Sequence, residues 1–249
     1  MTLLKADFHI HTKEDPQDYI RYDAFELIDM AHHLGYKVLS ITNHDKCTYN
    51  EYLKDYARER GIILLPGMEA TIEKKHVLLI NLPFNKLSIS SLKDLYDVPN
   101  EKGLIIAPHP FFPSPVALGK KFIKYIKAFD AAEWSHFYSK KVNFNLKMER
   151  IAKEGNLPIV GTSDAHQRIQ FHTTYTLIDS EFHIEAVIEA VKKGRVKVIS
   201  KPLPLTRLVE INCKMLFRNF IKKKLGLLYK AIKNPVDNLG GSKLSTGSS

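Results

Sequence analysis

Nine short apolar runs, most of them four or five residues long, alternate with stretches of helical spacing along this 249-residue chain. The runs are 3–11, 38–42, 62–65, 76–80, 104–107, 131–134, 157–161, 174–178 and 196–199. Between them, apolar residues recur at helical intervals in 24–31, 49–60, 88–96, 116–129, 143–154 and 183–193. Gly35, Gly61, Gly155 and Gly194 follow four of those stretches, where a helix commonly stops. Short buried strands alternating with helices predict a parallel sheet or an α/β barrel.

The polar residues fall at one end of these runs. His9-Ile10-His11 closes the first, and Asn43-His44-Asp45 follows the second. Glu69 follows the third, His109 the fifth, and Ser163-Asp164-Ala165-His166 the seventh. In parallel α/β folds, the C-terminal ends of the strands are where sites are built. Alternation along a strand puts His9 and His11 on one face and Phe8 and Ile10 on the other. Two imidazoles on one face can share a metal ion.

Composition narrows the class. The chain is 44% hydrophobic and 26% charged, as soluble globular domains are. No apolar run approaches the roughly 20 residues of a membrane span, and Asp7 and His9 interrupt any signal-peptide-like start. Two cysteines, Cys47 and Cys213, without a CxxC pair, predict no disulfide framework and a reducing, cytoplasmic setting. The net charge of +10 is concentrated near the end, because residues 201–249 contribute +8. The body is nearly neutral, which argues against a surface that grips nucleic acid throughout.

Imidazole with carboxylate is a donor set for Zn²⁺, Mn²⁺ or Fe²⁺ rather than for Ca²⁺. The candidates exceed what one ion needs and suit two or three. Carboxylates such as Glu69 and Asp164 can bridge ions. Such a cluster can hold a phosphate and activate water to hydroxide near neutral pH, so hydrolysis of a phosphate ester is the natural chemistry. No Ser-His-Asp or Cys-His arrangement lies beside the cluster, so direct attack without a covalent enzyme intermediate is expected.

The ordered set His9-Ile10-His11, Asn43-His44-Asp45, Glu69, His109 and Ser163-Asp164-Ala165-His166 resembles the motifs of the polymerase and histidinol phosphatase (PHP) family over residues 5–200. The resemblance implies a distorted (β/α)7 barrel, here with an added C-terminal helix, and a di- or trinuclear centre. It implies that His9, His11, Glu69 and Asp164 surround one ion, that Glu69, His76 and His109 hold a second, and that His44, His166 and a residue of the 12–18 loop hold a third. Asp15 is favoured over Asp18 for the loop ligand. The family usually has Asp where this chain has Asn43, so Asn43 is not counted as a ligand. Asp164, His166 and Glu69 are the expected catalytic residues. His76 has an alternative as a solvent-facing residue at a strand start.

Lys46 and Arg168 each follow a motif and are candidates for binding the substrate phosphate, Arg168 the better one because its fork matches phosphate oxygens. Glu133 and His136 flank Trp134 at a strand end and either line the pocket or make structural hydrogen bonds. Cys47 reads as a packed thiol. The expected substrate is a phosphorylated small molecule or nucleotide. A nuclease and a non-catalytic metal-binding module are the alternatives.

Three segments are expected: a barrel over 1–205, a basic helical extension over 206–233 and a Gly/Ser-rich tail over 234–249. In the extension, Leu208, Ile211, Met215 and Leu216 are spaced to pack on the barrel, with Lys214, Arg218 and Lys222–Lys224 forming a charged side. That side is either a solvated face or a contact for nucleic acid or anionic lipid.

Overall fold

The structure, a computed structural model, describes residues 3–211 and 213. Nine strands form one sheet: β1 (Leu3–Ile10), β2 (Val38–Ile41), β3 (Ile63–Ile72), β4 (Lys75–Ile80), β5 (Leu104–Ala107), β6 (Ala131–Ser135), β7 (Ile159–Thr162), β8 (Thr174–Asp179) and β9 (Val196–Ser200). Their order is β7-β6-β5-β4-β3-β2-β1-β8-β9. The helices are α1 (Ala24–His33), α2 (Glu51–Glu59), α3 (Lys120–Lys124), α4 (Asn145–Glu154) and α5 (Ile184–Lys192).

The sheet curls into a nearly closed barrel. Gly161 of β7 sits so close to β8 and β9 that a Cβ there would lie 2.8 Å from the Val198 side chain and 2.9 Å from the Tyr175 carbonyl. Thr176 takes the place of a strand ladder, because its hydroxyl accepts from Gly161 N and donates to Gly161 O, both at 2.9 Å. Just past β7 the chain meets β1: Asp164 N donates to His9 O at 2.8 Å and His11 N to Ala165 O at 3.3 Å. The same backbone that closes the barrel rim therefore presents His9, His11 and Asp164.

The sheet is mixed rather than wholly parallel. The pairs β1/β2, β2/β3, β5/β6 and β6/β7 run parallel, whereas β3/β4, β4/β5, β1/β8 and β8/β9 run antiparallel. The reason lies in the connection after β3. Only Glu73 and Lys74 separate β3 from β4, at φ 48° and 61°. A two-residue turn with both φ positive makes a hairpin, and a parallel crossover needs a dozen residues or more. Two expected helices are also shorter than their sequence spacing predicts. Residues 88–96 hold only a 3₁₀ turn at Asp94–Asp97, and 116–129 holds α3 and a 3₁₀ turn.

Apolar residues from β1 through β8, including Phe8, Val38, Leu65, Leu78, Ile106, Ala131, Val160 and Ile178, fill the barrel with one face of α5. A second core lies under α1 and α2, and a third beneath β3 to β6. Phe8 and Ile10 were expected on one face, yet they join different cores. The pairing of β1 with β2 shifts register between Asp7 and Ile10. Such an irregularity turns a strand's face, and it lets β1 deliver Phe8 to the apolar interior before the histidines above it.

Residues 205–211 are helical, and Leu208 and Ile211 are buried, as expected for the start of the extension. The rest of the expected 206–233 helix and the 234–249 tail lie outside the described residues, apart from Cys213. Among the described residues no helix is long and apolar enough to cross a membrane.

Candidate metal centre

The histidines converge at the C-terminal rim. His9 and His11 are fully buried, and their Nε2 atoms lie 3.1 Å apart. Each Nε2 is 3.4 Å from Glu69 Oε2 and 3.4 Å from Asp164 Oδ1. His44 Nε2 is 3.2 Å from the same Glu69 oxygen. The other Glu69 oxygen, Oε1, meets His76 Nδ1 at 2.7 Å and His109 Nε2 at 3.2 Å. One buried carboxylate thus faces two groups of imidazoles.

The tautomers show what these atoms can do. His9 Nδ1 donates to Glu133 Oε2 at 2.7 Å, and His11 Nδ1 donates to Asp15 Oδ2 at 3.0 Å. A carboxylate can only accept, so each ring donates through Nδ1 and leaves Nε2 for a further proton or a metal ion. The two Nε2 atoms and two carboxylate oxygens face one another within 3.4 Å. That arrangement is repulsive without a positive charge among them. Separations of this size leave a point about 2 Å from every atom of a trio, the length of a zinc–imidazole bond. The donor set therefore fits a divalent ion of the zinc, manganese or iron type.

Four trios bring one donor atom each within 4.8 Å of the others: His9/His11/Asp164, His9/Glu69/His109, His11/His44/Glu69 and Asp15/Asp18/His44. His76 and His166 belong to none of them. His76 is engaged with Glu69, and His166 Nε2 lies 2.7 Å from Asp18 Oδ2.

Electrostatics tell the same story. Burial pulls the His9 pKa down, but Asp164, Glu69 and Glu133 outweigh it and hold the pKa well above the ordinary value. Burial also opposes protonation of His166, yet Asp18 and Asp164 raise it to about 9. Burial would raise Glu69, but His9, His109 and His76 hold it well below the usual carboxylate range. Protons and cations compete for one negatively charged pocket.

Backbone strain accompanies the ligand positions. His109 and Asp164 sit at φ 28° and 43°, in the left-handed region that side chains other than glycine seldom adopt. Strained residues persist where the surroundings fix them and cluster at functional sites. For Asp164 the fixing bond is its N–H to His9 O.

The comparisons with known proteins point one way. The sequence family described as PHP-associated matches residues 143–196, a span that contains Asp164 and His166. A two-domain protein from Bacteroides vulgatus containing a predicted PHP-like metal-dependent phosphoesterase has the same fold, with a TM-score of 0.62 at 21% identity over 86% of this chain and 70% of that one. The chain thus has the fold of a protein with a PHP-like part, and one segment of it matches the PHP-associated family. It also resembles the lesion-specific endonuclease of Pyrococcus furiosus in fold, with a TM-score of 0.54 at 15% identity over 85% of this chain and 66% of that one. An uncharacterized protein of Methanocaldococcus jannaschii is 26% identical over 171 residues, which are 61% of this chain and 93% of that protein.

Around the cluster, several residues act through others. Asp15 is buried and saturated: Oδ2 accepts from His11 Nδ1, His44 Nδ1 and His44 N, and Oδ1 from the backbone of Gln17 and Asp18. Asp18, by contrast, lines the cavity. Asn43 donates from its amide to the Thr12 and Thr48 hydroxyls, and its oxygen accepts from Thr12 N. Asp45 ties the 12–18 loop to β3 through Gln17 and Thr71. Of the two readings of Glu133, the hydrogen-bonding one describes its place against His9.

Lys46 and Arg168 do not line the cavity. Lys46 Nζ donates to Glu14 O, and Arg168 pairs with Glu26 on α1. Cys47 is half-buried, and burial raises its thiol pKa.

Three contributions escaped the sequence reading. Asp7, fully buried, accepts from Ser163 N and His9 N and so couples β1 to the end of β7; burial raises it to about 7. A carboxylate inside an apolar run was its visible signal. Gln170 accepts from His166 N and lies 3.1 Å from His136 Nε2. Phe112, Phe137 and Ile211 form apolar cavity wall, and nothing in their spacing announced it.

Proposed function

We propose that this chain hydrolyses a phosphate ester with divalent metal ions held at the rim of its barrel. The observation that carries the reading is the facing pair of Nε2 atoms on His9 and His11, closed in by Glu69 and Asp164. His9, His11, Asp164 and one oxygen of Glu69 would hold the first ion, and the other Glu69 oxygen with His109 the second, with His76 fixing the carboxylate between them. Asp18, His44 and His166 would hold a third, with Asp18 rather than Asp15 as the loop ligand. Bound ions would neutralise phosphate charge and lower the pKa of water near neutral pH.

The protein's own residues do the rest. Glu133 and Asp15 fix the ring orientations of His9, His11 and His44, which keeps their Nε2 atoms directed at one place. Asp164, held at its strained φ, and Glu69 set the spacing between ions. Phosphate charge would be met at the rim by the bound ions, because Lys46 and Arg168 do not line the cavity.

The substrate reading is a phosphomonoester of a small molecule or nucleotide. The fold likeness to an endonuclease favours, as a second reading, cleavage of a phosphodiester at a nucleic-acid end. Protein loaded with Mn²⁺, Fe²⁺ or Zn²⁺ separately should hydrolyse a generic phosphomonoester, and His11→Ala and Asp164→Ala should each remove that activity. Turnover that survives both substitutions would refute the assignment. Faster cleavage of single-stranded DNA than of phosphomonoesters would select the second reading.

A further inference from the structure

The C-terminal extension reads from sequence as a cap on the barrel with a basic face. Its first turns pack at the rim, where Ile211, 3% exposed, forms part of the wall of the metal cavity. The segment is anchored on both sides. Leu203 N donates to Tyr138 O at 2.8 Å, and the buried Gln167 donates from Nε2 to Ile211 O at 3.2 Å. Gln167 follows His166 directly, so the turn carrying Ile211 is tied to the loop that carries the site. Phe112 and Phe137, whose rings meet edge to face at 5.3 Å, line the same cavity. The cavity is therefore lined by donors of the metal centre together with apolar side chains. The cavity volume is about 190 Å³. That is roughly six water volumes, room for a phosphate and one ring.

We infer that Ile211, with Phe112 and Phe137, is a specificity-determining wall that selects a phosphomonoester of a small apolar or aromatic alcohol and rejects a continuing nucleic-acid chain. The inference rests on the phosphoesterase reading above. It assigns to residues 205–211 the role of a roof over the substrate's non-phosphate half. Apolar walls discriminate by the surface that they remove from water, and one missing group in such a pocket changes specificity about tenfold or more.

The test compares phenyl phosphate with methyl phosphate in the full-length, metal-loaded protein. The wild type should prefer phenyl phosphate in kcat/KM by about tenfold or more. Ile211→Ala should cut that ratio about fivefold or more, while Ile211→Leu, which keeps the apolar volume, should retain it. If Ile211→Ala fails to fold by thermal melting, Phe137→Ala carries the same expectation. A ratio unchanged in folded Ile211→Ala or Phe137→Ala overturns the inference, as does tight competition by a single-stranded oligonucleotide against phenylphosphonate. If the wild type hydrolyses neither ester, the phosphoesterase reading fails by itself. Calorimetric binding of phenylphosphonate and methylphosphonate then decides the wall: tighter phenylphosphonate binding that is lost in Ile211→Ala supports it, and equal or absent binding overturns it.

Discussion

The two halves of the metal rim are built to different standards. On the side made by β1 and β2, each histidine ring nitrogen that points away from the centre has a carboxylate partner. Glu133 holds His9, and Asp15 holds both His11 and His44. On the side made by β4, β5 and β6, that bracing is absent among the described residues. His109 Nδ1 and His136 Nδ1 are buried without a hydrogen-bond partner among them, and His76 spends its Nδ1 on Glu69 itself. Carboxylate bracing fixes a ligand's tautomer and orientation and raises its basicity. From the difference we infer that, with metal bound, the braced edge would hold an ion more tightly than the other edge.

The largest expected effect breaks the braced side outright. Asp164→Ala or His11→Ala removes a donor shared by the closest trio, and metal-dependent turnover should fall to background in a steady-state assay. Protein that keeps its tight ion and its activity after either change would show that the braced side is not the centre.

A smaller effect isolates the bracing from the ligation. Glu133→Gln keeps the shape but turns a fixed acceptor into an amide that can present its NH₂ to His9. Affinity for the tight ion should fall about 10- to 100-fold, read by competition with a chelator, while the fold and the weaker ion remain. A change at the weaker ion instead would invert the comparison.

The smallest effect is on pH. In the metal-free protein, Asp164, Glu69 and Glu133 hold the His9 pKa well above normal despite burial, so its ring keeps a second proton to higher pH than an ordinary imidazole does. A metal must displace the Nε2 proton. Apparent affinity of the braced side should therefore rise with pH, about tenfold per unit for one proton displaced. Calorimetry in buffers of different ionisation heat should record net proton release on loading. The His136 pKa is lowered by burial to about 4, so this residue should contribute no proton.

Much of this was legible in the sequence, for a physical reason. His9, His44, His109 and Asp164 sit where strands end, and strand ends follow from the length of apolar runs. All nine strands overlap runs that the sequence picks out, although β3 continues past the 62–65 run to Ile72 and so contains Glu69. The direction of β4 was harder to see, because it depends on backbone φ at Glu73 and Lys74, neither of them a glycine that would advertise a turn. The bracing was hidden for another reason. Asp15 looks like a ligand by residue type, and only its five accepted hydrogen bonds show its oxygens occupied. Glu133 meets His9 across 124 residues of chain. The face change in β1 depends on a one-residue register shift that no alternation rule contains. Ile211 was expected in a core, and a core-facing isoleucine looks the same in sequence whether it meets other side chains or a substrate.

The most direct measurement is the metal content of the wild type and of His109→Ala after reconstitution and stepwise chelation. Two classes of ion should appear in the wild type, one leaving early and one held. His109→Ala should lose the early class and keep the held one. A single class in the wild type, or loss of all ions together in His109→Ala, would contradict the two-sided centre.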